Sequence, residues 1–368
     1  MKNNVLHIRS TIGMYGAEQV ILNLLQSVRD LAHKTRCFII EGSEKQSDLL
    51  AVELSNNSLE YHSEKSYKKF DFSVVKKLRK EVKKYSVGVV HSHDYKSLVL
   101  ICIATIGLDV TRIHHLHGAL GNTSAEKIYS LIERLFMIFV NKIIVVSQEQ
   151  ENIYKKYLGL THKLVHIENG SPIKEIFSKD HAGDVFSFIM VARLTPEKNH
   201  ELALKVLAKL IHEGRNVCLS ILGSGPELPR LKLIAEDLGI IKKVKFVGFT
   251  RNVEEWMRKA NCLLITSTTE GMPMNLLEAM SYGLPSICTP VGEIPKIIES
   301  SEGGKLANNE EQFVQVASEY CDSPEKIKEM GLSASRFVKK YLSVTRQSNS
   351  ILEVYESTLG GVYERCIT

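Results

Sequence analysis

The sequence predicts an α/β protein of two Rossmann-like domains, and three observations carry that prediction. Short apolar runs alternate with amphipathic helical stretches along the chain, which indicates βαβ units and parallel sheets covered on both faces. The alternation occurs as two successive sets, and 368 residues exceed what one core normally holds. Proline marks the seam: of nine prolines, none precedes Pro172.

In order, the first set offers strands at Val5–Ile8, Cys37–Ile40, Val89–His91, Ile113–His115, Ile143–Val146 and Val165–Ile167. Asn169-Gly170-Ser171-Pro172 to Gly183-Asp184 combines turn residues with mixed charge and reads as the linker. The second set offers Phe186–Val191, Val217–Leu222, Val244–Val247, Leu263–Ile265, Ser286–Cys288 and Lys305–Leu306. After Ser343, Ile351, Leu352, Val354 and Tyr355 recur at helical spacing. The expected domains are therefore 1–172, joined by the final helix over residues 345–368, and 173–344. Ligands of doubly wound sheets bind beyond the carboxyl ends of the strands. Two such domains facing one another would place the site in the cleft between them.

Composition excludes several classes. A content of 44% hydrophobic and 24% charged residues is that of an ordinary soluble globular protein. The longest apolar run, Leu98 to Leu108, falls short of the roughly 20 residues a membrane-spanning helix needs. Leu131 to Val146 is interrupted by Glu133, Arg134, Asn141 and Lys142. Met1-Lys2-Asn3-Asn4 leads into a strand and not into a signal-peptide core, so a cytoplasmic location is expected. Seven scattered cysteines without Cys-x-x-Cys read as reduced thiols.

The net charge of +5 is mild, and no nucleic-acid partner is expected. Its excess lies between Glu64 and Lys84, where nine Lys or Arg face three acids. From Asp71 to Tyr85, apolar Phe72, Val75, Leu78, Val82 and Tyr85 recur at helical spacing beside Lys76, Lys77, Lys80, Lys83 and Lys84. The plain account is a surface helix with its lysines in water. The functional account is reversible contact of residues 64–84 with the anionic inner face of a membrane.

The most informative stretch is Ser267-Thr268-Thr269-Glu270-Gly271-Met272-Pro273-Met274-Asn275-Leu276-Leu277-Glu278-Ala279-Met280. It leaves a strand, opens as a loop and resumes as a helix at Asn275. Amides at such a helix start stabilise a phosphate, here those near Gly271, Asn275 and Leu276. Glu270 and Glu278 would repel phosphate and are better suited to accept hydrogen bonds from sugar hydroxyls. The plain alternative is an acid favourably placed on a helix dipole. Arg193 and Lys198, in Ala192-Arg193-Leu194-Thr195-Pro196-Glu197-Lys198, flank a turn in which Thr195 caps and Pro196 opens a helix. Both could reach one anion from there.

This combination resembles the retaining glycosyltransferases of family 4, built on the GT-B fold, whose Glu-x7-Glu motif matches Glu270 and Glu278. The resemblance spans nearly the whole chain and is strongest from Phe186 to Pro290. It implies that a nucleotide-diphosphate sugar is the donor, with UDP favoured by family alone, and that the acceptor is a glycan or lipid-linked hydroxyl of bacterial surface-polysaccharide assembly. Glu278 would hold the ribose, Glu270 the sugar, and Arg193 with Lys198 the departing diphosphate. The final helix would cross back onto the N-terminal domain. Gly16, in Gly13-Met14-Tyr15-Gly16-Ala17-Glu18, resembles the family's Gly-Gly-Ala-Glu loop, with Tyr15 in place of the first paired glycine. His117, in Leu116-His117-Gly118, resembles the histidine that contacts the donor sugar. Gly223, in Gly223-Ser224-Gly225-Pro226-Glu227, resembles a turn beside the nucleotide; a tight strand-to-helix turn is its plain reading.

His91 and His93, and likewise His115 and His117, share strand faces, so a metal site is conceivable. Only Asp94 is adjacent and no Asp-x-Asp occurs, so no essential metal and no cofactor is expected. Glu41, ending the second strand, and the glycines of the first loop keep a nicotinamide-dependent oxidoreductase open as an alternative. A non-catalytic scaffold of the same fold is the other.

Overall fold

The computed structural model describes residues 4–11, 13–29, 34–42, 49–66, 71–117, 124–156, 159–176 and 185–359. Gly118, Lys68, Lys69, Cys366, residues 177–184 of the expected linker and the end of the last helical segment lie outside them. The chain divides into two compact units, Met1–Gly170 with Val344–Thr368, and Ser171–Ser343.

The first unit carries seven strands: β1 (Asn4–Thr11), β2 (Thr35–Glu41), β3 (Tyr61–Lys65), β4 (Val87–Ser92), β5 (Thr111–Leu116), β6 (Lys142–Val145) and β7 (Leu164–His166). Its helices are α1 (Gly16–Ser27), α2 (Leu49–Asn56), α3 (Phe72–Lys84), α4 (Tyr95–Ala104), α5 (Ser124–Phe136) and α6 (Gln148–Lys155). The strands form one sheet in the order β3-β2-β1-β4-β5-β6-β7, all pairs parallel. Alternation along each strand divides the core. Leu6, Ile8, Val90 and Val145 face α3 and α4, while Val5, Val89, Ile113 and Ile144 face the other way.

The second unit carries β8 (Phe186–Val191), β9 (Val217–Leu222), β10 (Val244–Gly248), β11 (Cys262–Ile265), β12 (Ser286–Cys288) and β13 (Gly304–Leu306). Between and after them run α7 (His200–His212), α8 (Leu228–Asp237), α9 (Val253–Lys259), α10 (Met274–Ser281), α11 (Ile294–Ser301), α12 (Glu310–Asp322) and α13 (Pro324–Tyr341). The parallel order is β10-β9-β8-β11-β12-β13. Both sheets are thus doubly wound. The order reverses between β1 and β4 in one and between β8 and β11 in the other, and those are the crevices where such folds hold ligands.

The last helix, α14 (Val344–Leu359), belongs to the first unit. Its Ile351, Leu352, Val354 and Tyr355 bury themselves against Val5, Leu24, Val89 and Ile113. Gln347 secures its start, with Oε1 accepting from the Gly170 amide at 3.1 Å.

Two local expectations need correction. β3 was not anticipated: Tyr-His-Ser-Glu-Lys is a sheet-edge strand, only partly buried, and lacks the apolar run that marks interior strands. Thr195 and Pro196 open not a helix but a single 3-10 turn, Pro196–Lys198, and α7 begins at His200 after Asn199 in the left-handed region (φ 47°).

Candidate active site

In the second unit, the loops leaving β8 and β11 meet at the point where the strand order reverses. Backbone bonds fix them together. The Thr268 amide donates to Glu197 O at 2.8 Å, and Thr266 Oγ1 donates to the carbonyls of Lys198 and Asn199 at 3.0 and 2.9 Å. As a result Lys198 and Glu270, 72 positions apart in sequence, form an ion pair with Nζ 2.6 Å from Oε1. Ser267 Oγ donates to the same carboxylate oxygen at 2.7 Å. Both partners are mostly buried, so the pair is little screened by solvent. Arg193 projects outward from the same turn, with Nη2 3.3 Å from Glu197 Oε1, an acid that Thr195 Oγ1 also holds at 2.6 Å.

Glycines permit this close fit. Gly223 has φ +136°, and a Cβ there would sit 1.9 Å from the Ala192 carbonyl oxygen. A Cβ on Gly225 would lie 2.3 Å from Leu194 O. The Gly223–Glu227 turn therefore serves first as a bed for the Arg193 loop, to which it is tied by Leu194 N→Ser224 O and Glu227 N→Leu194 O. From the other side Gly292 presses on the carbonyls of Glu270 and Gly271, and the Glu293 amide donates to Gly271 O at 2.9 Å. Ser267, Glu197 and Gly292 were not singled out from the sequence. Pro290-Val291-Gly292-Glu293 carried a turn signal, but nothing in it named a partner.

Helix α10 starts after Pro273, which has no capping side chain. The first amides of a helix lack intrahelical acceptors. That of Leu276, expected as an anion donor, is engaged by Asn275 Oδ1 at 2.9 Å, and Asn275 Nδ2 donates to Val191 O at 2.8 Å. Asn275 thereby ties the helix start to β8. Glu278 lies one turn in and is partly accessible. Burial of its carboxyl pushes its pKa up to about 7, opposed by nearby Lys174. Among the described residues its carboxylate has no hydrogen-bond donor, which leaves it open to hydroxyl groups of a ligand.

The crevice of the first unit is lined with imidazoles. His7 on β1, His91 on β4 and His115 on β5 point to the face covered by α14, and His93 and His117 continue the row just past the strand ends. Ring centroids stand 4.2–5.6 Å apart, from His115–His117 to His93–His115. His7 Nδ1 lies 2.9 Å from His93 Nε2, and His93 Nδ1 lies 2.8 Å from His117 Nε2. His91 Nδ1 meets Tyr355 Oη at 2.7 Å, while His7 Nε2, His91 Nε2, His117 Nδ1 and both nitrogens of His115 have no partner among the described residues. Burial lowers His7 and His115 to about 3 and holds the others well below 6.5, so the rings are neutral. Two triads, His7–His91–His93 and His93–His115–His117, bring nitrogens within 4.8 Å of one another and have donors suited to zinc. Asp94 is not part of them. It caps α4 by accepting from Ser97 N at 2.9 Å, and it holds the Ser10 amide at 2.8 Å. His114 faces the opposite side, toward Glu133.

Gly16 is the exposed first residue of α1. The acid that follows it is structural: buried Glu18 accepts from the Tyr15 amide at 3.1 Å and pairs with Arg9 at 2.7 Å. Glu41 is buried and accepts from Ser63 Oγ on β3, so it is not open to a ribose as an oxidoreductase would require.

Comparison with known proteins identifies the family and the fold. The family described as Glycosyl transferases group 1 matches residues 173–336, and Glycosyltransferase Family 4 matches residues 14–174. An uncharacterised glycosyltransferase of Haemophilus influenzae is 26% identical over 319 residues, covering 84% of this chain and 88% of that protein. A UDP-Gal:alpha-D-GlcNAc-diphosphoundecaprenol alpha-1,3-galactosyltransferase of Escherichia coli is 27% identical over 268 residues, covering 67% of this chain and 69% of that protein. Among solved structures, HepE of Anabaena in complex with UDP shares the fold at TM-score 0.81 and 18% identity, covering 96% of this chain and 100% of that one. Sucrose-phosphate synthase of Thermosynechococcus elongatus does so at TM-score 0.82 and 14% identity, covering 97% and 99%. The two family matches follow one another along both units, and a nicotinamide-dependent oxidoreductase does not account for them. The chain belongs to the group 1, family 4 glycosyltransferases and has their two-unit GT-B fold.

Proposed function

We propose that the protein transfers a sugar, with retention of configuration, from a nucleotide-diphosphate sugar to a hydroxyl of a lipid-linked glycan acceptor. The observation that carries this reading is the Lys198–Glu270 pair at the reversal of strand order, with Arg193 above it. It places fixed positive charge beside a carboxylate, which is what a diphosphate joined to a polyhydroxylated ring requires.

In this reading Arg193 and Lys198 take the diphosphate, the amides of Met274 and Asn275 add dipole, Glu278 accepts from the ribose and Glu270 from the sugar. As the bond from the anomeric carbon to the phosphate oxygen breaks, charge builds on that oxygen. Preorganised cations stabilise it more in the transition state than in the ground state. The acceptor oxygen bonds to the same face of the anomeric carbon, and its proton passes to the departing phosphate. By the family resemblance, His117 would contact the donor sugar. These steps use only the chain's own residues and require no metal.

Kinship supports this acceptor. The Escherichia coli relative acts, by its name, on a diphosphoundecaprenol-linked sugar, and another relative there is the O-antigen biosynthesis glycosyltransferase WbnH, 25% identical over 272 residues. Its UDP-sugar donor, and the UDP bound to HepE, favour uridine. Such an acceptor also gives purpose to membrane contact through residues 64–84. Thermal stabilisation against a panel of UDP-, GDP- and other nucleotide sugars tests the reading. A sugar nucleotide that raises the midpoint, lost in Arg193→Ala, supports it; stabilisation by none would overturn it.

A further inference from the structure

Helix α5 packs Phe136 on the sheet core yet carries a second apolar face. Toward the protein it turns Glu133, only 5% exposed, whose Oε1 lies 3.2 Å from His114 Nε2, and Tyr129, stacked on Tyr95. Toward solvent it turns Ile128, Leu131 and Leu135, which are 58%, 67% and 56% exposed. The 3-10 turn that follows, Met137–Phe139, adds Ile138 at 41% and Phe139 at 58%. Spaced i, i+3, i+7, i+10 and i+11, these five form one stripe. Fourteen large apolar side chains are exposed among the described residues, and these five fall within twelve consecutive positions. A contiguous stripe of this kind marks an interaction surface, unlike scattered exposed residues.

Helix α3 is the reverse case. Val74, Leu78 and Val82 are buried in the sheet core, and Lys76, Lys77, Lys80, Lys83 and Lys84 are exposed. Past Phe72, which stands 74% exposed at its start, its apolar face is spent on its own unit, so α3 offers mainly charge. The two helices flank α4 on the same face of the sheet. Lys127 stands exposed beside the stripe, and Lys163 Nζ donates to Ile138 O at 2.6 Å. The face therefore combines an apolar wedge with a basic margin, the pairing that anionic lipid headgroups and acyl chains complement. A second copy of the chain fits less well: five side chains are far fewer than the roughly 20–30 residues per side of a stable interface, and the basic margins would repel.

We infer that the stripe on α5 and its following turn lies in the interfacial layer of an anionic membrane, with the α3 lysines on headgroup phosphates. This rests on the lipid-linked acceptor proposed above for its purpose, not for its physics. Helix α5 opens at Ser124, seven positions after His117, and the turn that ends the stripe leads into β6 at Lys142, so the stripe runs along the sheet toward its amino end.

Flotation of the full chain with phosphatidylcholine vesicles, with and without phosphatidylglycerol, tests the inference. No sugar nucleotide is present, so a wrong donor or acceptor assignment does not affect the result. The wild type should float with the anionic vesicles, and Leu131→Glu/Leu135→Glu should reduce partition at least about tenfold with an unchanged unfolding midpoint. Changing the five α3 lysines to Gln should remove the salt-sensitive part, at roughly fivefold per lysine. A second readout uses Leu131→Trp in a Trp256→Phe background, since Trp256 is the sole tryptophan. Its fluorescence should be quenched by brominated acyl chains. No flotation of the wild type, wild-type flotation of the double glutamate variant, or unquenched fluorescence of the Leu131→Trp variant would each overturn the inference. So would a wild-type dimer that Leu131→Glu converts to monomer, because the stripe would then belong to a second copy.

Discussion

Replacing Glu278 with Gln should make the protein more stable at alkaline pH while weakening nucleotide binding. Its carboxyl titrates at about 7 in the folded chain against a reference of 4.5, because burial disfavours the charge. The shift is about 2.5 units, and at 1.36 kcal/mol per unit it corresponds to at most about 3 kcal/mol, less where partial exposure screens it. Because the folded pKa is the higher one, the native state binds more protons than the unfolded chain. Stability is therefore full below about pH 4.5, falls as pH rises, and is lost once pH passes 7. Gln removes the charge without orphaning a donor, since no described residue donates to this carboxylate. For a unit of this size about 3 kcal/mol corresponds to roughly 6–12 °C. Calorimetric unfolding at pH 5 and pH 8 should show a gain at pH 8 and little change at pH 5. Equal shifts at both values would refute the reasoning. If ribose hydroxyls donate to the carboxylate, binding also takes up its ionised form, so affinity should rise with pH through 7. Proton release should then appear as a dependence of the binding heat on buffer.

The remaining expectations concern the neighbouring loops. Arg193→Ala or Lys198→Ala should lower kcat on the order of 100-fold, read in steady-state kinetics with the best donor of the panel; normal turnover in either removes the electrostatic role. Glu270→Gln should weaken the sugar-bearing donor yet spare free nucleotide diphosphate, whereas Glu278→Gln should weaken both, and calorimetry on the two variants separates them. Gly223→Ala should cost about 2 kcal/mol or more in urea unfolding, since its Cβ would collide with the Ala192 carbonyl. Transfer should survive exhaustive chelation; zinc bound stoichiometrically by the histidine row, with activity lost on its removal, would reverse that.

Interior strands were legible because a strand buried on both faces must be apolar throughout, as Val87–Ser92 and Cys262–Ile265 largely are. The edge strand Tyr61–Lys65 escapes that rule and was missed. Periodicity identified α3 as amphipathic, and there burial followed the apolar side. On α5 the same kind of signal hides which face looks inward, because a buried Glu133 satisfied by His114 outweighs the aliphatic positions. The pairing of Lys198 with Glu270 depends on β8 and β11 being sheet neighbours, a long-range fact absent from either motif. His7 is a lone histidine in an apolar strand, and only the adjacency of β1 and β4 brings it to His91 and His93.

The row of histidines restricts where protons can sit. A neutral imidazole has one N–H and one bare nitrogen. Along His7, His93 and His117 each contact joins Nδ1 of one ring to Nε2 of the next, so all three rings must adopt the same tautomer. In one arrangement His7 Nε2 is a bare lone pair at the buried end; in the other it is an N–H with no acceptor. The reverse holds at His117 Nδ1, equally buried and without a partner among the described residues, so each arrangement leaves one end N–H without an acceptor. An acceptor that reached His117 Nδ1 would select the arrangement in which that atom carries the hydrogen. Because the three rings share one tautomer, such a contact at one end of the row would also set which nitrogen of His7 on β1 carries its hydrogen.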